Sequence, residues 1–129
     1  MKIKHIEHIA INVRDIARSK DFYGRVLGFK FLEKVDCGDF DIHYYETPSG
    51  SRLELFDYRG HSLSRPVGET EVGLRHTAFQ VEDVAAHEVE LRAQGVEITL
   101  PTCDLPNLGA RVVLFLDPNG ITLEFCEPL

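Results

Sequence analysis

The chain has 129 residues, 27% of them charged, and a net charge of −7, which is the length and polarity of one soluble domain. Its lysines and arginines are scattered, so the sequence lacks the basic footprint of a protein that binds nucleic acid or an anionic membrane. No apolar run approaches the roughly 20 residues of a membrane span, and three cysteines without CxxC spacing favour a reducing compartment, so we expect a cytoplasmic protein.

The first half of the chain predicts a strand, a helix and three further strands. Asp15 is placed to cap a helix that begins near Ile16, and Gly28 is placed to end it. Pro48-Ser49-Gly50 predicts a turn before the last strand. Alternating or β-rich stretches predict the strands at residues 6–13, 29–35, 40–46 and 52–57.

The second half predicts the same order of elements. Asp83 is placed to cap a helix over 84–94 that ends at Gly95. The strands are predicted at residues 74–81, 96–100, 111–116 and 121–126. Between the halves, residues 58–72 are rich in Gly, Ser and Pro and predict a linker. We therefore expect a single domain over 1–129, with one module at about 1–57 and another at about 73–129.

Two segments of the second half repeat two segments of the first. EHIAINVRDIA, which contains His8, matches RHTAFQVEDVA, which contains His76, at a shift of 76 − 8 = 68 residues. TPSGSRLELF, which contains Glu54, matches DPNGITLEFC, which contains Glu124, at a shift of 124 − 54 = 70. Because order and spacing both agree, we predict an internal duplication. The fold predicted from it is α+β, with two tandem βαβββ modules that form a curved half-barrel sheet around a metal site.

Strand alternation separates the apolar residues of these segments from their chemically active ones. In the first strand Ile9, Ile11 and Val13 share one face, and that face should pack under the helix. The same alternation places one His or Glu of each repeated strand on the other, concave face: His8, Glu54, His76 and Glu124. Two imidazoles and two carboxylates suit a divalent ion such as Zn, Ni, Co, Mn or Fe, so we predict that these four residues are its ligands.

A metal ion held in this way indicates a particular kind of chemistry. It would act as a Lewis acid on a small-molecule substrate with two neighbouring oxygens, while a nearby carboxylate serves as the catalytic base. Asn12 and Phe56 share the ligand-bearing faces and are candidates for substrate contact. Arg111 is a further candidate, although alternation alone does not fix which side of its strand it faces.

These residues resemble the vicinal oxygen chelate superfamily, which includes glyoxalase I, methylmalonyl-CoA epimerase, extradiol dioxygenases and the fosfomycin- and bleomycin-resistance proteins. The resemblance covers nearly the whole chain. It rests on five segments: HIAINVRD at 8–15, SKDFYGRVLGF at 19–29, RLELF at 52–56, HTAFQV at 76–81 and DPNGITLE at 117–124.

Within that superfamily, the ligand order His, Glu, His, Glu is similar to glyoxalase I, the lactoylglutathione lyase. The resemblance implies an isomerisation of a glutathione hemithioacetal through a metal-bound enediolate, with Glu124 or Glu54 moving the proton. It also implies a homodimer, with each site formed within one chain or across two. Asn12, however, stands where glyoxalase I typically has an Arg that holds the glutathione carboxylate, so the substrate stays open.

Other branches of the superfamily give the alternatives. The epimerase usually has Gln where this chain has Glu54, and extradiol dioxygenases use only the equivalents of His8, His76 and Glu124, around Fe(II). A metal-free resistance protein that sequesters its ligand is the alternative that is not an enzyme. In such a protein the four ligand positions would be expected to have lost their His and Glu residues, and here all four remain.

Overall fold

The computed structural model describes residues 1–60 and 72–129, so most of the predicted linker at 58–72 lies outside the described residues. The chain divides into two compact units, residues 1–64 and 65–129. In each unit a strand and a helix are followed by three strands. The predicted α+β class with two tandem βαβββ modules is therefore confirmed. Among the described residues, no helix is long and apolar enough to cross a membrane.

The first unit holds four strands and one helical segment. The helical segment begins as α1, Ile16–Lys20, and continues as a π-helix over Asp21–Val26. The strands are β1 His8–Val13, β2 Lys30–Asp36, β3 Asp41–Glu46 and β4 Arg52–Asp57. The predicted strands of this half all exist, and their ends differ by two residues at most.

The second unit holds one longer helix, α2, at Val84–Ala93. A short 3-10 helix at Pro106–Leu108 precedes the third strand of the unit. The strands are β5 Thr77–Gln80, β6 Ile98–Leu105, β7 Ala110–Leu116 and β8 Thr122–Pro128.

Each unit has one four-stranded sheet, and the two sheets have the same topology. The strand orders are β1-β4-β3-β2 and β5-β8-β7-β6. In both sheets the first strand of the unit runs parallel to the last, and the other neighbours are antiparallel. The repeat seen in the sequence is thus a repeat of structure.

The helix ends follow the predicted local chemistry, but the first helix is not α-helical throughout. The Asp15 side chain accepts a hydrogen bond from the backbone N–H of Arg18, and Asp83 does the same for Ala86. Gly28 follows the π-helix with a positive φ of 76°, a conformation that suits glycine. The change from α to π after Lys20 is a local departure that apolar spacing does not predict.

Two strands of the second unit have an end that differs from the predicted one by more than two residues. β5 begins at Thr77, which is the first residue paired with β8, so His76 lies just before the strand and not in its middle as predicted. β6 continues through Pro101 to Leu105, whereas the sequence predicts its end at Leu100. Because β6 is an edge strand with shifts in its register, a residue without a backbone N–H is accommodated there.

The apolar side of each sheet packs under the helical segment of its own unit, and we call this side the helix face. In the second unit the ring of His87, from α2, contacts the ring of Phe125 at 5.5 Å between centroids. In the first unit, His43 and Tyr45 lie opposite Leu55 and Leu53 in the β3–β4 pairing, so they too belong to the helix face. The largest fully buried side chains are Tyr23, Tyr45, Phe115, Leu55 and Leu123.

Candidate metal centre

The opposite side of each sheet carries the predicted ligands, and we call it the ligand face. In the first unit, β1 pairs with β4 so that Ala10 lies opposite Glu54. His8 precedes Ala10 by two residues, so its side chain points to the same side as Glu54. His8 Nδ1 lies 3.8 Å from Glu54 Oε1. The Glu54 side chain is 8% exposed, whereas that of His8 is 45% exposed.

The second unit repeats this arrangement. Ala78 lies opposite Glu124 in the pairing of β5 with β8, and His76 precedes Ala78 by two residues. His76 Nε2 lies 3.2 Å from Glu124 Oε2, and both side chains are partly buried. The structure therefore brings each predicted histidine next to the glutamate of its own half, at the same register in both sheets.

The chemistry of each pair fits a divalent metal ion. Two donor atoms that bind one ion at about 2.1 Å lie about 3.0 to 3.5 Å from each other. The separation of 3.2 Å between His76 Nε2 and Glu124 Oε2 falls in that range. Imidazole and carboxylate donors suit Zn, Ni, Co, Mn or Fe. Each pair, His8 with Glu54 in the first unit and His76 with Glu124 in the second, thus has two side chains that could bind such an ion.

The His8–Glu54 pair lies in a charged network that sequence reasoning missed. The Glu7 carboxylate accepts a hydrogen bond from His8 Nδ1. It also forms an ion pair with Arg52, whose Nη2 lies 2.7 Å from Glu7 Oε1. These two contacts hold the pKa of Glu7 below its ordinary value. The Arg52 guanidinium lies 5.2 Å from the centroid of the Tyr44 ring, and Tyr44 is opposite Glu54 in register. Burial raises the pKa of Tyr44, and the nearby Glu54 carboxylate adds to that effect.

The His76–Glu124 pair has different neighbours. Cys126 lies two residues beyond Glu124 on the same face, as predicted from alternation, and its Sγ donates to the carbonyl of Phe79 at 3.7 Å. Burial raises the pKa of this thiol, and Glu124 raises it further. His76 Nδ1 is buried without a hydrogen-bond partner among the residues that the structure describes.

Two of the predicted substrate contacts lie on the ligand face of the first unit. Asn12 is opposite Phe56 in the pairing of β1 with β4, two positions along from Glu54. Asn12 is exposed, and Phe56 stacks on Phe40 with 5.4 Å between ring centroids. Phe40 also contacts Tyr58 at 5.2 Å. Neither Phe40 nor Tyr58 was predicted as a site residue: Phe40 begins the predicted strand at 40–46 but lies just before β3, and Tyr58 follows the last strand of this half.

Arg111, the third predicted substrate contact, lies on the helix face, opposite Glu127 in the pairing of β7 with β8. Its guanidinium pairs with Asp104 at 2.6 Å and with Glu127 at 3.2 Å, and these carboxylates raise its pKa. Glu127 in turn accepts a hydrogen bond from the backbone N–H of Val84, the first residue of α2. The structure does not bring Arg111 to the side of the sheet that carries Glu124. The arginine instead pairs with Glu127, the carboxylate that binds the first N–H group of α2.

The sequence model of the Glyoxalase/Bleomycin resistance protein/Dioxygenase superfamily matches residues 5–125 of this chain, a segment that includes both His–Glu pairs. The chain belongs to this superfamily. The match covers nearly all of both modules and agrees with the duplicated βαβββ topology described above.

Three proteins match this chain over more than 90% of their own length. The uncharacterized protein YaeR of Escherichia coli is 33% identical over 127 residues, which cover 97% of each chain. A lactoylglutathione lyase of Haemophilus influenzae is 28% identical over 130 residues, covering 95% of this chain and 91% of its own. The crystal structure of a glyoxalase family protein from Enterococcus faecalis is 32% identical with a TM-score of 0.85, covering 98% of this chain and all of its own.

A second group of possible ligands in this superfamily member lies on the helix face of the first unit. Asp41, His43 and Asp57 have donor atoms within 4.8 Å of one another. Asp41 is already paired with Arg59 at 2.7 Å and with Lys34 at 3.1 Å, and these cations hold its pKa at about 2. Because protein cations already neutralise this carboxylate, we interpret the group as an ion-pair network and not as a metal site.

Proposed function

We propose that this chain is a divalent-metal-dependent lyase or isomerase of the glyoxalase type. Its metal ligands are His8, Glu54, His76 and Glu124, contributed within one chain or by two chains of a homodimer. Its substrate is a small molecule with two neighbouring oxygens. The observation that carries the proposal is the repetition of a His–Glu pair at the same register in both sheets.

That repetition argues for function because folding does not require it. Each sheet needs the apolar residues of its helix face, which are buried in both units. A histidine beside a partly buried glutamate on the other face adds little to a core, and a carboxylate is costly to bury without a partner. Finding the same costly pair twice is explained if the two pairs share a ligand. A divalent cation is the ligand that their donor atoms fit.

When bound, the metal ion would supply a Lewis acid that stabilises negative charge on the substrate oxygens. The protein's own part is proton transfer at the carbon beside a carbonyl. Glu54 and Glu124 are the two carboxylates on the ligand faces at this position, and either can accept and return that proton. Asn12 and the Phe56–Phe40 stack lie on the Glu54 side and would contact the rest of the substrate.

The 28% identity with a lactoylglutathione lyase supports this branch of the superfamily. Glutathione itself is a separate question, since the exposed Asn12 offers hydrogen bonds but no positive charge to a carboxylate. We therefore propose the reaction type without a specific thiol; a screen of substrates tests whether glutathione forms the hemithioacetal.

Metal content is the first test. Purified protein should be stripped with a chelator, reloaded with Co²⁺ or Ni²⁺, and assayed by elemental analysis. Wild type should retain about one ion per chain, and His76→Ala and Glu124→Ala should retain almost none. His5→Ala, which removes an exposed histidine outside the site, is the matched control and should bind as wild type does. Unchanged metal content in both ligand variants would contradict the site.

Turnover is the second test. The loaded enzyme should be offered the glutathione hemithioacetal of methylglyoxal, small keto acids and catechols. Isomerisation of a hemithioacetal or proton exchange in a keto acid would support the proposal. Ring cleavage of a catechol with uptake of oxygen would instead assign the chain to the dioxygenase branch.

A further inference from the structure

Glu7 contacts the proposed ligand His8, and both of its carboxylate oxygens are engaged. Oε2 accepts a hydrogen bond from His8 Nδ1, and Oε1 pairs with Arg52 Nη2 at 2.7 Å. The backbone holds the same arrangement, because the N–H of Arg52 donates to the carbonyl of Glu7 at 2.9 Å. Glu7 is therefore fixed from two directions beside the imidazole of His8.

Its place in the chain explains how Glu7 reaches that imidazole. Neighbouring residues of a strand point to opposite faces, but β1 begins at His8, so Glu7 is free of that alternation. Glu54 Oε1 lies 3.8 Å from the same Nδ1 atom, which is beyond hydrogen-bond distance. Glu7, and not Glu54, is thus the acceptor for a proton on Nδ1 of His8.

The arginine behind Glu7 is itself held in place. Arg52 lies opposite His8 in the pairing of β1 with β4, and its guanidinium packs on the ring of Tyr44. The chain of contacts runs from the aromatic ring through the guanidinium and the carboxylate to the imidazole. Such a chain restricts the rotation of the His8 ring.

A neutral imidazole with its proton on Nδ1 has its lone pair on Nε2, and only a lone pair can bind a metal ion. Histidine ligands usually donate their second ring N–H to a carboxylate or carbonyl, which fixes the ring and raises its basicity. We propose that Glu7 is the positioning residue for His8, holding the proton on Nδ1 so that Nε2 is the ligand atom. This inference rests on the proposed metal site.

The second half supplies an internal reference. Arg75 occupies the place of Glu7 in the repeat, since it precedes His76 as Glu7 precedes His8. His76 Nδ1 has no hydrogen-bond partner among the described residues, and its Nε2 faces Glu124. Among residues 1–60 and 72–129, a carboxylate thus holds Nδ1 of His8 but not Nδ1 of His76.

The first experiment compares Glu7→Ala with Glu33→Ala in Co²⁺ affinity. Glu33 lies opposite Tyr44 in the β2–β3 pairing and so shares the ligand face, two strands away from Glu54. Glu7→Ala should weaken Co²⁺ binding by about 10- to 100-fold. Glu33→Ala removes the same charge and should change the affinity by less than about twofold, because solvent screens it at that distance. Equal effects of the two variants would overturn the inference.

The second experiment reads the tautomer directly in metal-free protein. Nitrogen-15 NMR of the imidazoles should find the proton of neutral His8 on Nδ1 in wild type and a loss of that preference in Glu7→Ala, with no change at His76. A wild-type proton on Nε2 of His8 would overturn the inference. Because this measurement needs no metal, it still decides the role of Glu7 if the elemental analysis contradicts the metal site.

Discussion

The two halves of the molecule agree at the His–Glu pair and differ around it. In each half the glutamate lies opposite an alanine that follows the histidine by two residues. At the equivalent positions around the pair, however, the first half has Glu7, Arg52 and Tyr44, where the second has Arg75, Thr122 and Leu114. The ligand pair is thus repeated in both halves, whereas the side chains that surround it differ.

The helix faces show the same contrast. Asp41 and Asp57 are opposite each other in the first sheet, and the positions 70 residues later, Arg111 and Glu127, are opposite each other in the second. The charge at the first of these positions is reversed, and each network is balanced by different partners. What the fold demands on these faces in both halves is apolar burial, so a His–Glu pair that is the same in both halves calls for a functional explanation.

The largest expected effect tests whether the two glutamates share one role. The Glu124 side chain is 17% exposed and that of Glu54 is 8% exposed, so Glu124 is the more accessible of the two carboxylates. We expect Glu124→Gln to lower kcat by about 10²- to 10⁴-fold with little change in KM. Glu54→Gln should lower kcat less, because we expect the less accessible Glu54 to act only as a metal ligand, a role that the Gln oxygen can keep.

Steady-state kinetics on the substrate found in the screen measure both variants, with metal content determined in parallel. A similar loss of kcat in Glu54→Gln and Glu124→Gln, with metal retained, would show that the two halves contribute equally to proton transfer. In that case the difference in their surroundings would have no catalytic meaning.

The next effect in size compares the two cores. Leu53 and Leu123 occupy equivalent positions and are 4% and 1% exposed. Truncation of a buried leucine to alanine costs about 2–5 kcal/mol, so each variant should lower the free energy of unfolding of its unit by that amount. Urea denaturation followed by circular dichroism measures it. A cost below about 1 kcal/mol in either variant would mean that the two helix faces are not packed alike.

Much of this comparison could be predicted from the sequence because the chain is duplicated. Leu53 and Leu55 alternate with Glu54, and Leu123 and Phe125 alternate with Glu124. The two-residue period of a strand is therefore enough to assign the leucines and Phe125 to the core and the glutamates to the ligand face. The predicted caps at Asp15 and Asp83 also form, because a side-chain oxygen just before a helix meets its unpaired N–H groups.

The features that could not be predicted belong to residues whose face the alternation of apolar and polar side chains does not indicate. Arg111 lies on a strand with apolar residues on both sides, so no pattern indicates which side meets α2. Glu7 lies one residue outside its strand, and its contact with His8 depends on Arg52, which is 45 residues away in the sequence. In both cases the register of the sheet decides, and register is a property of the folded structure.

The smallest expected effect concerns the reversed charges of the helix faces and appears only in acid. Arg59 and Lys34 hold the pKa of Asp41 at about 2, below its ordinary value of 3.8. A carboxyl whose folded pKa is depressed stabilises the protein above its unfolded pKa and loses that contribution as pH falls through the folded pKa. The free energy of unfolding of wild type should therefore fall between about pH 4 and pH 2, and less steeply in Asp41→Asn.

Asp39→Asn, which changes an exposed carboxylate two residues away, serves as the control and should keep the wild-type slope. Denaturant titrations across this range provide the measurement, and parallel slopes for wild type and Asp41→Asn would mean that the first half does not depend on its ion-pair network.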